Sequence, residues 1–124
     1  MNSFLPVGSV ITIKDDQNKN QKYVILGYFP TTNEEKPKVF DYLCYMYPDG
    51  VKNKKSFFVN EEDIDDILFI GYQSKYNDKL LTFFKEQSSV LKNAEDIKIA
   101  SMEMIFKFNE RYGKKVNEWK HYYQ

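Results

Sequence analysis

The sequence predicts an α+β fold: a five-stranded antiparallel sheet or SH3-like small barrel followed by two C-terminal α-helices. Two observations lead to it. Up to Tyr72, apolar residues fall in five short strand-like segments separated by polar turns, with no crossover helices between them. From Tyr76 onward they recur every three or four residues, as on one face of a helix. This change of period divides the chain into a β-rich domain over residues 1–73 and a helical extension over 74–124 that packs on it or on a partner.

The first strand is Ser9 to Lys14, where Ile11 and Ile13 alternate with Thr12 and Lys14. Asp15 to Asn20 is a polar turn. Lys22 to Phe29 is apolar on both faces and ends at Pro30, which has no N–H for a ladder. Thr31 to Lys38 is a polar loop. Val39 to Tyr47 is the most aromatic strand, with Phe40, Tyr42, Cys44 and Met46 on one face and Leu43, Tyr45 and Tyr47 on the other. Pro48-Asp49-Gly50 is a turn whose glycine supplies positive φ. Ser56 to Val59 is the fourth strand, Asn60 to Asp63 a turn of helix capped by Asn60, and Ile67 to Tyr72 the fifth strand.

Tyr76, Leu80, Phe83, Phe84, Gln87 and Leu91 define a helix from about Tyr76 to Lys92, with Ser74 or Asn77 as its cap. Ile97, Ser101, Met104, Ile105, Phe108, Tyr112, Val116, Trp119 and Tyr123 define a second, started by Asp96 or Asn93. A strand reading stays open there, because Ile97/Ile99 and Met102/Met104/Phe106/Phe108 also fit a period of two. Gly113 could end the helix as a left-handed cap, but the apolar phase continues past it and favours one long or bent helix.

Composition narrows the function. A chain of 124 residues is one ordinary domain with one modest core. Its 18 basic and 18 acidic side chains cancel, which argues against a protein dedicated to gripping phosphate backbones. Its single cysteine, Cys44, forms no internal disulfide, and no apolar run approaches the roughly 20 residues of a membrane span. With no basic, apolar leader at Met1 to Val10, the sequence reads as that of a soluble cytoplasmic protein. The oddity is 17% aromatic residues at a mean hydropathy of −0.63, more rings than a polar chain with one small core needs.

No catalytic, cofactor-binding or metal-ligating residue is expected. The only histidine, His121, sits near the C-terminus, poorly held for a catalytic base. Cys44 lies inside a strand, as a small buried hydrophobe does. One Cys and one His exclude a thiolate–imidazole metal site. Glu61-Glu62-Asp63-x-Asp65-Asp66 lacks the spacing and glycine of a calcium loop and reads as a solvated helix start. Val7-Gly8-Ser9 and Tyr112-Gly113-Lys114 match no phosphate-binding fingerprint.

The rings point instead to binding. With both faces of Phe40 to Tyr47 needing cover, one forms the core and the other meets the C-terminal helices or a second protein, a role for which tyrosine is suited. The expected partner-binding residues are Tyr42, Tyr45, Tyr47, Phe57, Trp119 and Tyr123. A nucleic-acid binder stacking bases on Tyr42 and Tyr45 beside Lys52 to Lys55 is an alternative of a different class. The partner expected is a protein, with self-association allowed and no membrane.

Leu5-Pro6-Val7-Gly8-Ser9-Val10, Asp41-Tyr42, Tyr47-Pro48-Asp49-Gly50, Phe57-Phe58, Glu62-Asp63-Ile64 and Phe69-Ile70-Gly71-Tyr72, taken in order, resemble the DUF4176 family of Gram-positive bacteria over about Phe4 to Gln73. Members are often encoded beside type VII secretion genes and LXG toxins. The resemblance implies an accessory protein that binds such a toxin as a chaperone or targeting factor, or alternatively as its immunity protein. It carries no active-site residues. Tyr45-Met46-Tyr47-Pro48-Asp49 fits the Tyr-x-x-x-Asp export spacing but lies on a strand and turn, so the chain is expected to stay inside the cell.

Overall fold

The computed structural model describes the backbone of residues 2–120 and all their side chains except those of 51, 53 and 114–120. One antiparallel sheet contains β1 (Val10–Ile13), β2 (Lys22–Tyr28), β3 (Tyr42–Tyr47), β4 (Ser56–Val59) and β5 (Ile64–Phe69), in the order β4-β3-β2-β1-β5. The helices α1 (Lys75–Lys92) and α2 (Ile97–Lys120) follow. The α+β architecture is therefore the expected one. The sheet is open, with β4 and β5 as its edges.

Those edges are joined by only Asn60 to Asp63, of which Glu61–Asp63 form a 3-10 turn. A flat five-stranded sheet would hold its edges about 19 Å apart. The connection reaches at most about 17 Å when extended and less in 3-10 form. The sheet must therefore coil. A bulge assists at β2, where Leu26 is an extra residue between the pairs Ile25↔Cys44 and Gly27↔Leu43.

Alternation along each strand places Ile11, Tyr23, Ile25, Tyr42, Cys44 and Val59 on the concave face, where they form the core with Phe4, Leu5 and Leu81. Leu81 comes from α1, so the first helix completes this core. Phe84 packs beside it against Tyr28 and Phe29, at ring-centroid distances of 5.3 and 5.2 Å. The N-terminal segment ties in through Phe4 N–H, which donates to the Leu81 carbonyl at 3.1 Å.

β1 and β2 end within one residue of the expected bounds, whereas β3 and β5 differ more. β3 begins at Tyr42 because Asp41 N–H donates to the Asn60 side chain and Phe40 N–H to the Pro30 carbonyl, which turns the chain before the ladder starts. β5 begins at Ile64, so Asp65 and Asp66 are strand residues, and Asp66 N–H donates to Thr12 Oγ1. It stops at Phe69 because Gly71 crosses Val7 too closely for regular pairing. A Cβ at Gly71 would lie 2.1 Å from the Val7 oxygen, and Gly71 N–H donates instead to the buried Ser9 hydroxyl at 3.0 Å. In the turn after β3, Gly50 adopts φ +58°, as its position requires.

Ser74 caps α1, its hydroxyl accepting from Asn77 N–H, and Asp96 accepts from Ile99 N–H at the start of α2. The period-two alternative over residues 97–108 is overturned. The stretch is helical and runs through Gly113 unbroken. α2 packs on α1, with Phe108 against Tyr76, Phe83 and Tyr112, the Arg111 guanidinium over the Phe83 ring, and an Arg111–Glu86 ion pair at 3.1 Å.

Candidate protein-binding surface

Which rings are available depends on what fastens α1 to the sheet. Asp41, 3% exposed, is the centre of that fastening. Its carboxylate accepts from Ser88 Oγ at 2.7 Å and Glu61 N–H at 2.9 Å, and pairs with Lys92 Nζ at 2.9 Å. One residue on, the Tyr42 hydroxyl accepts from Leu5 N–H at 2.8 Å and donates to Glu61, whose other oxygen pairs with Lys85 of α1. Every described buried side-chain polar atom has a partner. Two helical lysines and a serine thus lock α1 onto the concave face.

The buried thiol and phenols of this unit are held in their neutral forms. Burial pushes the Cys44 thiol up to about 12, and burial with an Asp16 hydrogen bond does the same for the Tyr23 phenol. The Tyr42 and Tyr28 phenols are raised further, again by burial. A thiol so shifted is a packing group at neutral pH.

The convex face of the sheet is different. Val10, Val24, Tyr45 and Tyr47 lie on it, and the register aligns Phe69, Val10, Val24 and Tyr45 across four strands. A bulge in β5 at Leu68, between the pairs Val10↔Phe69 and Ile11↔Ile67, re-aims the edge. Two consecutive residues, Leu68 and Phe69, thereby line one hollow with Gly8, Val10, Lys22 and Tyr47. Its volume is about 490 Å³. Tyr47, Leu68, Phe69 and Ile70 are each half exposed, and Tyr72 is 86% exposed. A contiguous apolar surface of this kind on a folded chain marks an interaction site.

The other end of β5 is acidic. Asp65 and Asp66 join Asp15, Asp16 and Thr12 around a smaller hollow of about 160 Å³. Among the described residues, no group of three or more His, Cys, Asp or Glu is arranged to hold a metal ion. A second apolar strip runs along α2, where Ile99, Met102, Ile105 and Phe106 face away from α1 and are more than half exposed. α2 is apolar on two sides, and α1 uses one.

The residues expected to bind a partner are divided by this geometry. Tyr45 and Tyr47 lie on the convex face. Tyr42 does not: it is fully buried and bonded through its hydroxyl, so its ring belongs to the core, and the base-stacking pair Tyr42 and Tyr45 is split between opposite faces. Phe57 also turns inward, meeting Tyr23 edge-on at 5.1 Å. Trp119 is in α2 with its side chain outside the described residues, and Tyr123 and His121 lie outside them altogether. Leu68, Phe69 and Ile70 were not among the expected binding residues, because an apolar run closing a sheet reads as buried. Its place at an edge was not visible in the run itself.

The comparison with protein families is decisive at residues 4–80, which match the domain of unknown function DUF4176. The chain belongs to the DUF4176 family. The match covers the whole sheet, both hollows and the first turns of α1, and it confirms the resemblance carried by the turn and strand motifs. No curated protein and no solved structure matches the chain. The α2 strip lies beyond the DUF4176 match, whereas Tyr45, Tyr47, Leu68 and Phe69 lie within it. No described helix is long and apolar enough to cross a membrane.

Proposed function

We propose that this DUF4176 protein is a non-enzymatic, cytoplasmic accessory factor that binds another protein, acting as a chaperone or targeting partner of a type VII-secreted LXG toxin. The observation that carries the binding part is the convex apolar surface around the 490 Å³ hollow, left open on the side of the sheet opposite α1. Burying half-exposed Leu68, Phe69 and Tyr47 against a partner would contribute on the order of 1 kcal/mol each. Such a cluster at the centre of an interface is what an anchoring site requires. The α2 strip offers a second contact, so that one partner could be held by sheet and helix together. The toxin assignment rests on family membership and the gene context implied by it.

Co-expression with a neighbouring LXG-type toxin tests the proposal. A complex that co-purifies at fixed stoichiometry and forms with the toxin's export region supports it. Absence of any complex, or a complex only with the toxin's catalytic domain, refutes it, the latter in favour of an immunity role.

A further inference from the structure

Edge strand β5 combines two features at opposite ends. Asp65 and Asp66 are exposed beside Asp15 and Asp16, whereas Leu68 and Phe69 open onto the apolar hollow three residues further on. At the strand rise of about 3.3 Å per residue, the two ends are about 10 Å apart. Among the described residues β5 pairs with β1 on one side only, which leaves a row of main-chain donors and acceptors on the other. The geometry points to β5 as a strand-addition site for a short extended segment of a partner protein that carries a bulky apolar residue followed, three or four residues later, by Lys or Arg. This deepens the protein-binding reading above and rests on it.

The recognition has two parts. Main-chain hydrogen bonds to the β5 edge supply register and side-chain pockets supply selectivity, as in other strand-addition sites. Antiparallel addition continues the pattern of the sheet and is the slightly more stable mode. It places the apolar residue, first in the partner's sequence, over Phe69 and the basic residue over Asp65 and Asp66. The two bulges of β5 restrict regular pairing to a few residues, which protects the edge from indiscriminate association and suits a short segment.

Charge selects among occupants. A second copy paired through β5 antiparallel would bring Asp65 and Asp66 against the partner copy's apolar end, burying carboxylates without cations, which is costly. Nucleic acid and anionic membranes are disfavoured, because the four carboxylates outnumber Lys19 in the acidic hollow and Lys22 in the apolar one. A basic, apolar segment meets both ends of the strand favourably.

The test uses the full, isotope-labelled chain. It is titrated to millimolar concentration with a peptide alternating Thr with Ile and Phe in its N-terminal half and Thr with Lys in its C-terminal half. Saturable shifts concentrated on the amides of Ile64 to Ile70 are expected. Binding weakens about tenfold when the peptide's Lys become Glu, or in the Asp65→Lys/Asp66→Lys variant, and is lost when alternate peptide nitrogens are methylated. Both aspartates are exposed, and an Asp65→Asn/Asp66→Asn variant with a smaller loss serves as the milder control for folding. No shift at β5, equal binding of the methylated peptide, or β5 signals that respond to the chain's own concentration would overturn the inference, the last in favour of a second copy. If a toxin complex forms equally well with the Asp65→Lys/Asp66→Lys variant, the edge site fails and the protein-binding reading survives. If the peptide binds but no toxin does, the edge site stands and the toxin reading fails.

Discussion

Replacing Asp41 by alanine should be among the most damaging single changes in this protein, and the structure says why. The carboxylate is 3% exposed and receives Glu61 N–H, the Ser88 hydroxyl and the Lys92 ammonium. Hydrogen bonds to a charged group contribute about 1.5–3 kcal/mol each, and losing the acceptor leaves the donors unpaired. The Lys92 pairing is smaller, because that side chain is 29% exposed and recovers water when released. The expected loss is therefore about 3–4 kcal/mol for Asp41→Ala. Asp41→Asn keeps one acceptor and the volume and should lose about 2, and Lys92→Met about 1 or less.

Urea unfolding followed by circular dichroism measures all three. A domain of this kind has about 5–15 kcal/mol in total, so Asp41→Ala removes a large fraction of it. For 124 residues the unfolding entropy is about 0.26 kcal/mol/K, which turns the loss into a fall of about 12–15 °C in Tm. The ranking matters more than any single value. If Lys92→Met cost as much as Asp41→Ala, the ion pair and not the hydrogen-bonded carboxylate would be fastening α1, and the reasoning would be wrong. A loss below about 1 kcal/mol for Asp41→Ala would equally refute it.

Other consequences are as direct. Cys44 should resist a disulfide reagent at about pH 8 in the native state and react at once in denaturant; stoichiometric labelling of native protein would contradict its burial. Because the folded-state values of Cys44 and Tyr23 are raised from 9.0 and 10.0 to about 12, the unfolded chain loses those protons first. Stability should then be unaffected by these groups below about pH 9 and should fall as pH rises from there toward 12, by roughly 1 kcal/mol per pH unit at the outset, read as a declining urea midpoint. Gly71→Ala should cost about 1–3 kcal/mol, since the added methyl would meet the Val7 carbonyl 2.1 Å away and backbone would have to move; an unchanged Tm would refute that. Leu68→Ser/Phe69→Ser should change stability by no more than about 1 kcal/mol while abolishing partner capture, whereas Tyr42→Phe should do the reverse, because only the former pair is exposed.

Much of this fold was legible in the sequence. Short apolar and aromatic stretches between polar turns located β1 to β4, the pairs Ser74/Asn77 and Asn93/Asp96 bracketed the helix starts, and Gly113 did not interrupt a continuing apolar phase. Local pattern falls short where tertiary partners decide. Asp41 looks like any strand residue between Phe40 and Tyr42, yet its contacts come from Asn60, Glu61, Ser88 and Lys92, up to 51 positions away, and they are why β3 starts late. Tyr42 and Tyr45 are equivalent in composition and differ only in which face α1 covers. Asp65 and Asp66 read as part of a solvated helix start, because they continue the acidic run of Glu61, Glu62 and Asp63. An edge strand can carry them, since its outer side faces water.

The same fastening decides the surface. Lys85, Ser88 and Lys92 recur along α1 at intervals of three or four, so they form one stripe, and all three meet Asp41 or Glu61. That stripe and buried Leu81 hold α1 on the concave face. For α1 to cover Tyr45, Tyr47, Leu68 and Phe69 instead, it would have to give up two ion pairs and the Ser88–Asp41 hydrogen bond and expose the Leu81 site. Each step opposes the movement by more than half-exposed residues on the convex face could return. The apolar surface is consequently a fixed property of the folded chain and not a helix-binding site awaiting closure by its own α1. Cover for it has to come from outside α1, which is why loosening the fastening through Asp41→Asn should reduce stability without improving or creating binding at β5.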